Sequence, residues 1–214
     1  MTSSARRPEA RVAVFAKAPV AGAVKTRLAA ALGPAAAAEL HAELVRHALA
    51  TAVAARAAAI ELWCSPDELH PFFAQCAAEF PVTLRRQEGA DLGERMLRAF
   101  EAAFASGAAL VIIGADSPAL GAGDLRAAID ALGDHDAVLA SAEDGGYVLI
   151  GLARPVPGLF EAIAWGGSEV AGATRARLDA AGVRWKEIGT FWDVDRPEDY
   201  ARAEREGLLR RTPR

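Results

Sequence analysis

Short hydrophobic segments alternate with helix-forming segments along most of this chain, and this alternation limits its fold more than any other feature. The first hydrophobic segment spans residues 11–16, and the most apolar one spans residues 109–113. A strand without polar positions is typical of the centre of a sheet that helices cover on both faces. The alternation therefore predicts an α/β domain with a mostly parallel sheet and right-handed crossovers.

One turn interrupts this pattern late in the chain. Asp144 and Gly145 stand between two hydrophobic segments, and Asp-Gly is the strongest short signal for a β-hairpin. We therefore expect a late antiparallel element in the sheet. The 214 residues suffice for one domain of this kind, which we place at residues 10–208 between flexible tails at residues 1–9 and 209–214.

Charge and hydropathy argue against two classes of partner. The chain has 24 Lys and Arg against 28 Asp and Glu, and a net charge of −4 is unsuited to neutralising a nucleic-acid backbone. No uncharged segment approaches the roughly 18–20 apolar residues of a membrane span, and no apolar leader precedes the first strand. We expect no nucleic acid, no membrane span and a cytoplasmic location, where Cys64 and Cys76 would be buried thiols.

Four loops are the expected ligand-binding segments. Ligands of open α/β sheets bind beyond the carboxyl ends of the strands, so the loops that leave those ends are the candidates. In this chain they span residues 17–27, 87–94, 114–118 and 192–195.

The first of these loops has the residues of a phosphate site. Gly22 allows close approach of the backbone, and Lys25 and Arg27 follow at the start of a helix, whose free N–H groups attract anions. The spacing is not that of a Walker motif. The alternative is that Lys25 and Arg27 are solvated helix charges.

The third and fourth loops offer carboxylates for a divalent cation. Asp116 directly follows the most apolar strand, where it is well placed to hold Mg²⁺ or Mn²⁺ against a diphosphate. Asp193 and Asp195 alternate in an extended segment, so their side chains point the same way. The alternative roles are a turn before Pro118 for Asp116 and an N-cap of the last helix for Asp195.

Asp144 also has two interpretations. It can shape the hairpin turn, or it can accept a hydroxyl hydrogen bond or act as a base beside a sugar that the neighbouring glycines admit. The histidines show no spacing suited to zinc, and we assign no chemistry to His41, His47, His70 and His135.

Five motifs occur in order along the chain: KAPVAGAVKTRL, QEGADLGERM, GADSPAL, DGGYVLIGL and DVDRPEDY. Together they resemble a bacterial glycosyltransferase-like family, formerly a domain of unknown function and associated with arsenosugar biosynthesis. That family has the GT-A fold of nucleotide-diphospho-sugar transferases. The resemblance covers residues 12–204 and implies a single-domain three-layer sandwich.

The resemblance also implies a site. A nucleotide diphosphate would lie across the strand ends, with a metal ion on Asp116 and on Asp193 or Asp195. Asp144, Lys25 and Arg27 are the expected catalytic residues. The residues expected to bind the nucleotide and its phosphates are Lys17, Pro19, Gly22, Lys25, Arg27, Gln87, Gly89, Leu92 and Gly93.

Two reactions fit this site. The first is Mg²⁺- or Mn²⁺-dependent transfer of a sugar from a nucleoside diphosphate sugar to a small acceptor. The second is a guanylyltransferase-like reaction that joins an NTP to a phosphorylated small molecule. It is favoured by Pro118, because glycosyltransferases of this fold usually carry Asp-x-Asp where this chain has Asp116-Ser117-Pro118. A nucleotide-binding protein without catalysis is a third hypothesis, and the oligomeric state stays open.

Overall fold

Seven strands form one sheet in the part of the chain that the computed structural model describes, residues 10–209. Their order across the sheet is β3-β2-β1-β4-β6-β5-β7. The tails predicted at residues 1–9 and 209–214 lie outside the described residues, apart from Leu209. The strands are β1 (Ala10–Lys17), β2 (Ile60–Ser65), β3 (Val82–Arg86), β4 (Ala109–Gly114), β5 (Ala137–Ala142), β6 (Tyr147–Leu152) and β7 (Trp185–Phe191).

The sheet has the expected mixture of directions. Strand β6 runs antiparallel to both of its neighbours, β4 and β5, whereas the other neighbouring pairs are parallel. The turn at Asp144 and Gly145 joins β5 to β6, so the late antiparallel element is confirmed. Because β4 and β5 stay parallel to each other, the carboxyl ends of β1, β3, β4, β5 and β7 meet at one edge of the sheet.

Helices cover both faces of the sheet. Helices α2, α3 and α5 pack on one face, and α4 and α6 pack on the other, which confirms the three-layer sandwich. None of the described helices combines the length and apolar character that a membrane span requires. The described helices are α1 (Thr26–Leu32), α2 (Pro34–Ala54), α3 (Pro71–Glu79), α4 (Leu92–Ala105), α5 (Ala122–Ala131), α6 (Val170–Ala180) and α7 (Pro197–Arg205).

Strand β4 lies at the centre of the sandwich, as its composition predicts. Val111 and Ile113 pack in the core formed with α2, α3 and α5, whereas Leu110 and Ile112 pack in the core formed with α4 and α6. Successive side chains of a strand point to opposite faces, so a strand between two helical layers needs apolar residues at every position. Asp116 therefore lies two residues beyond a strand whose residues 109–113 are buried.

Asp195 does not have the alternative role considered for it, which was the N-cap of the last helix, α7. The N-cap of this helix is Arg196, and the Asp199 side chain accepts the backbone N–H groups of residues 195 and 196. The helix-capping role of Asp195 is therefore wrong. Its carboxylate is instead available for side-chain partners in the loop region.

Both cysteines are buried free thiols. Burial raises the pKa of Cys64 to about 12 and that of Cys76 to about 11. The thiolate is the reactive form of cysteine, so neither side chain is an effective nucleophile near neutral pH. Both fill the core as small apolar groups.

The close packing around Gly151 leads to a prediction about the stability of the core. This glycine lies in β6 opposite Val111 of β4 and Val138 of β5. A Cβ atom at this position would lie 2.6 Å from Val138 Cγ1 and 3.1 Å from Val111 Cγ2. We expect Gly151→Ala to lower the free energy of unfolding, measured by urea denaturation, by ~1–3 kcal/mol because the core would be overpacked.

Gly123→Ala is the matched control. Gly123 lies in α5, and a Cβ atom there would meet open space. Alanine is a better helix former than glycine, so the same measurement should show an unchanged or higher stability, by up to ~1 kcal/mol. Equal losses in the two variants would contradict the role of close packing at Gly151.

Candidate functional site

A cleft of about 490 Å³ opens at the edge of the sheet where β1, β3 and β4 end. It is lined by residues from all four of the loops named from the sequence. Cleft-lining residues that the sequence predicts are Lys17, Lys25, Gln87, Leu92, Asp116 and Asp195. The fold therefore brings segments from four separate parts of the chain into one site.

Lys25 lies at the start of α1, as the sequence predicts, but its side chain points inward. It is the N-cap residue of the helix, in the left-handed region at φ 47°, and its carbonyl accepts the backbone N–H groups of Leu28 and Ala29. Only 2% of the Lys25 side chain is exposed. In contrast, 68% of the Arg27 side chain is exposed.

Ion pairs join the first loop, residues 17–27, to the two loops that carry carboxylates, residues 114–118 and 192–195. Lys25 Nζ lies 2.7 Å from Asp116 Oδ1 and 3.3 Å from Asp195 Oδ1. Arg27 Nη1 lies 3.3 Å from Asp195 Oδ2. Both oxygens of Asp195 thus face cations of the protein itself.

The two acidic loops also contact each other directly. The Val194 backbone N–H donates to the Asp116 carbonyl at 2.9 Å, and Ser117 Oγ donates to the Trp192 carbonyl at 2.7 Å. These bonds hold the segment after β4 beside the segment after β7. Asp116 and Asp193 therefore belong to one site, although 76 positions separate them in the sequence.

The pKa values of Asp193 and Asp116 are shifted in opposite directions by their surroundings. Burial raises the pKa of Asp193 to about 7, and the negative charge of Asp116 acts in the same direction, while Lys25 opposes it. Burial would also raise the pKa of Asp116, but Lys25 and His41 outweigh it and hold that pKa well below its usual range. Burial acts to lower the pKa of Lys25, and its pairs with Asp116 and Asp195 raise it above the ordinary value.

The residues present fit a divalent cation that is shared with a phosphate ligand. Within residues 10–209 no group of three or more His, Cys, Asp or Glu side chains forms a complete metal site. Asp116 Oδ1 is fully buried, whereas 43% of the side chain is exposed, so Oδ2 faces the cleft. Mg²⁺ commonly binds through one or two carboxylates and substrate phosphates. Asp116 presents one oxygen to the cleft, whereas both oxygens of Asp195 face Lys25 and Arg27. Asp193 is half-buried and does not line the cleft.

Asp144 occupies the hairpin turn. Its Oδ1 accepts the backbone N–H of Gly146 at 2.9 Å, which is the structural role considered for it. Its charge also acts to raise the pKa of Asp193, so the turn faces the acidic loops. Asp144 does not line the cleft.

Several predicted nucleotide contacts lie beside the cleft and not on its wall. Gly93 packs against the indole of Trp165, and a Cβ at Gly93 would lie 2.6 Å from Trp165 Cζ2. Gln87 lines the cleft and is firmly held, because its Nε2 donates to the carbonyls of Trp63 at 2.7 Å and Ala16 at 3.3 Å. The predicted nucleotide-binding residues that do not line the cleft are Pro19, Gly22, Arg27, Gly89 and Gly93, and the predicted metal ligand Asp193 does not line it either.

Sequence reasoning missed His41 and Arg95. His41, to which the sequence assigned no chemistry, lies at the site: its Nε2 is 3.0 Å from the Lys17 carbonyl oxygen, and its Nδ1 is 3.6 Å from Asp116 Oδ1. Arg95 lines the cleft and donates from Nε to the Gly89 carbonyl. His41 stands on the buried face of α2, where spacing alone indicates a core residue. Arg95 follows the predicted loop at residues 87–94 directly, which was a usable signal.

Comparisons with known proteins identify a family and similar structures. The family model described as "Uncharacterized protein conserved in bacteria (DUF2064)" matches residues 48–167. A candidate nucleotide-diphospho-sugar transferase from Desulfovibrio desulfuricans G20 is similar in structure, with a TM-score of 0.85, 30% sequence identity and coverage of 94% of this chain and 88% of that chain. Curated proteins provide no match.

Two more distant structures share the fold. A nucleotidyl transferase from Methanothermobacter thermautotroptrophicus has a TM-score of 0.58 at 17% identity, over 93% of this chain and 97% of that chain. Rv0371c from Mycobacterium tuberculosis H37Rv, solved as a complex with manganese, has a TM-score of 0.50 at 16% identity, over 90% of this chain and 96% of that chain. At these identities the likeness concerns the fold.

The raised pKa of Asp193 predicts a pH dependence of stability. Its pKa is about 7 in the folded protein against an ordinary value of 3.8. A carboxyl whose pKa rises on folding stabilises the protein while protonated, so this contribution is present below pH ~4 and is lost as the pH rises through 7. In urea denaturation with EDTA, wild-type stability relative to Asp193→Asn should fall over that range.

The matched control is Asp134→Asn, which changes an exposed carboxylate in the turn that precedes β5, at the opposite end of that strand from these loops. Its stability difference from the wild type should not vary in the same way with pH. A difference between wild type and Asp193→Asn that stays constant from pH 4 to 7 would contradict the burial of this carboxylate beside Asp116.

Proposed function

Because the chain belongs to the DUF2064 family, one of whose structural relatives is a candidate nucleotide-diphospho-sugar transferase, we propose that it is a transferase of nucleotide-linked groups. Its donor is a nucleoside diphosphate sugar, and its acceptor is a small molecule with a hydroxyl group. Mg²⁺ or Mn²⁺ is required. The specific activity proposed is that of a metal-dependent glycosyltransferase.

The carboxylates of Asp116 and Asp193 carry this proposal. One oxygen of Asp116 faces the cleft, and Asp193 lies close enough for the Asp116 charge to raise its pKa. No hydrogen bond or ion pair from the described residues reaches the Asp193 carboxylate. Two adjacent carboxylates of this kind repel each other without a cation, and a metal–diphosphate would relieve that repulsion.

Cations in and beside the cleft suit the phosphates. Lys17, which is exposed, and Arg95, which is half-buried, line the cleft, and the exposed Arg27 lies beside Asp195 at its margin. Gln87 uses its amide nitrogen on two backbone carbonyls, so its amide oxygen is available to a base or a ribose. These residues would orient the donor with its diphosphate toward Asp116.

In the proposed reaction an acceptor hydroxyl oxygen attacks C1 of the sugar. The bond between C1 and the diphosphate oxygen breaks, and the nucleoside diphosphate leaves with the electron pair. A bound divalent ion would neutralise charge on the diphosphate oxygens. Arg27 and Lys17 stabilise the same charge, and Asp144 is the candidate acceptor for the hydroxyl proton.

A nucleotidyltransferase reaction is the second candidate. The loop after β4 provides a single carboxylate, because Ser117 bonds the Trp192 carbonyl and Pro118 holds the next position. The nucleotidyl transferase from Methanothermobacter thermautotroptrophicus shares the fold. In this reaction the phosphate of an acceptor attacks the α-phosphorus of an NTP, and pyrophosphate leaves.

Ligand binding tests the proposed function. We expect isothermal titration with ADP-, CDP-, GDP-, UDP- and dTDP-sugars in the presence of Mn²⁺ to identify a bound donor. Affinity should fall about tenfold or more, ~1.4 kcal/mol, when EDTA replaces Mn²⁺ or when Asp116 is changed to Asn. Asp134→Asn is the control and should bind like the wild type.

Product analysis separates the two reactions. Release of a nucleoside diphosphate from the sugar nucleotide with a hydroxyl acceptor supports the glycosyltransferase. Release of pyrophosphate from an NTP with a phosphorylated acceptor supports the nucleotidyltransferase. Binding without either product would favour a non-catalytic nucleotide-binding protein, and the absence of binding at millimolar ligand would refute both reactions.

A further inference from the structure

The Lys25 ammonium group is enclosed within the acidic loops. Its side chain is 2% exposed, and its Nζ lies 2.7 Å from Asp116 Oδ1 and 3.3 Å from Asp195 Oδ1. Lys25 lines the cleft, but its ammonium group is taken up by these two carboxylates. Lys17 lines the cleft with an exposed side chain, and Arg27, which is 68% exposed, lies outside the lining residues beside Asp195. Moving Lys25 to a phosphate would also leave Asp116 without its closest cation.

The two oxygens of Asp116 are in different surroundings. Oδ1 is fully buried between Lys25 Nζ at 2.7 Å and His41 Nδ1 at 3.6 Å. The exposure of the Asp116 side chain, 43%, therefore belongs mainly to Oδ2 on the cleft side. Contacts at Oδ1 fix the rotation of the carboxylate and hence the direction in which Oδ2 points.

We infer that Lys25 is a positioning residue, which orients Asp116 toward a divalent cation and does not itself contact the phosphates. Arg27 and Lys17 make the phosphate contacts instead. This inference rests on the proposed function. The sequence predicts that Lys25 binds phosphate, because it stands at the start of a helix. The inference replaces that role with the positioning of Asp116.

His41 has a supporting part in the same arrangement. Its Nε2 contacts the carbonyl of Lys17 at the end of β1, which places the ring against Asp116. Lys25 and His41 thus approach Oδ1 from two different elements, α1 and α2. Each residue acts on the cation site through Asp116.

Two affinities distinguish positioning from phosphate binding. The affinity for ADP, CDP, GDP, UDP and dTDP in the presence of EDTA reports on the phosphate contacts. The factor by which this affinity increases when Mg²⁺ replaces EDTA, called here the Mg²⁺ gain, reports on the metal site. For Lys25→Met we expect affinity in EDTA within about threefold of the wild type, since the inferred role gives Lys25 no phosphate contact to lose. The Mg²⁺ gain should fall by about 10- to 100-fold, as for partners that orient metal ligands.

Arg27→Met is the matched control, with the opposite expected pattern. Its affinity in EDTA should fall about tenfold, because a charge-assisted phosphate contact is removed. Its Mg²⁺ gain should stay close to that of the wild type. In Asp116→Asn the Mg²⁺ gain should already be small, and adding Lys25→Met should not lower it further.

A measurement on the wild type covers the case in which Lys25→Met does not fold. The chain has only three lysines, and Lys17 and Lys186 are exposed. The enclosed ammonium of Lys25 should give a slowly exchanging ¹⁵N signal. This signal should stay in place when the diphosphate is added in EDTA, while the Arg27 side-chain signal moves.

Several results would overturn the inference. Loss of affinity in EDTA for Lys25→Met, an unchanged or larger Mg²⁺ gain in that variant, or a shift of the Lys25 signal on adding diphosphate would each make Lys25 a phosphate ligand or a placeholder for the metal. If the wild type binds none of the diphosphates with or without Mg²⁺, the proposed function fails, and the inference fails with it.

Discussion

The ion pairs of Lys25 with Asp116 and Asp195 are the interaction on which the candidate site depends. They join three loops that are far apart in the sequence. Enclosing an ammonium group carries a large desolvation cost, which the two carboxylates offset only while all three groups stay in place. Removing one partner would leave buried charge unpaired, so the loops around the cleft are bound to one another by electrostatics as well as by backbone hydrogen bonds.

The sheet provides the rigid base for this cluster. Strand β4 is buried on both faces and ends directly before Asp116, and β1 beside it leads into the loop that carries Lys25. Because parallel neighbours end at the same edge, these two loops meet without any long connection between them. The hydrogen bond from Val194 to the Asp116 carbonyl adds the loop after β7. The position of the carboxylates follows from strand order.

Close packing at two glycines holds a segment behind the candidate site. Gly93 lies against the Trp165 indole, and a Cβ at Gly145 would overlap the Ser168 carbonyl oxygen. The segment that carries Trp165 and Ser168 is therefore in contact with both the start of α4 and the hairpin turn that carries Asp144. A larger residue at either glycine would displace this segment.

The sequence by itself determined the three-layer α/β fold, the antiparallel element and the four loops of the site. Alternating hydrophobic segments, an unbroken apolar strand and an Asp-Gly turn are local signals, and local signals specify elements and their burial. The tertiary structure decided which groups meet. Lys25 turns inward to Asp116, Asp195 faces cations and caps no helix, and His41 contacts the site from a core helix. Such contacts depend on strand order and on burial in three dimensions, which no local pattern encodes.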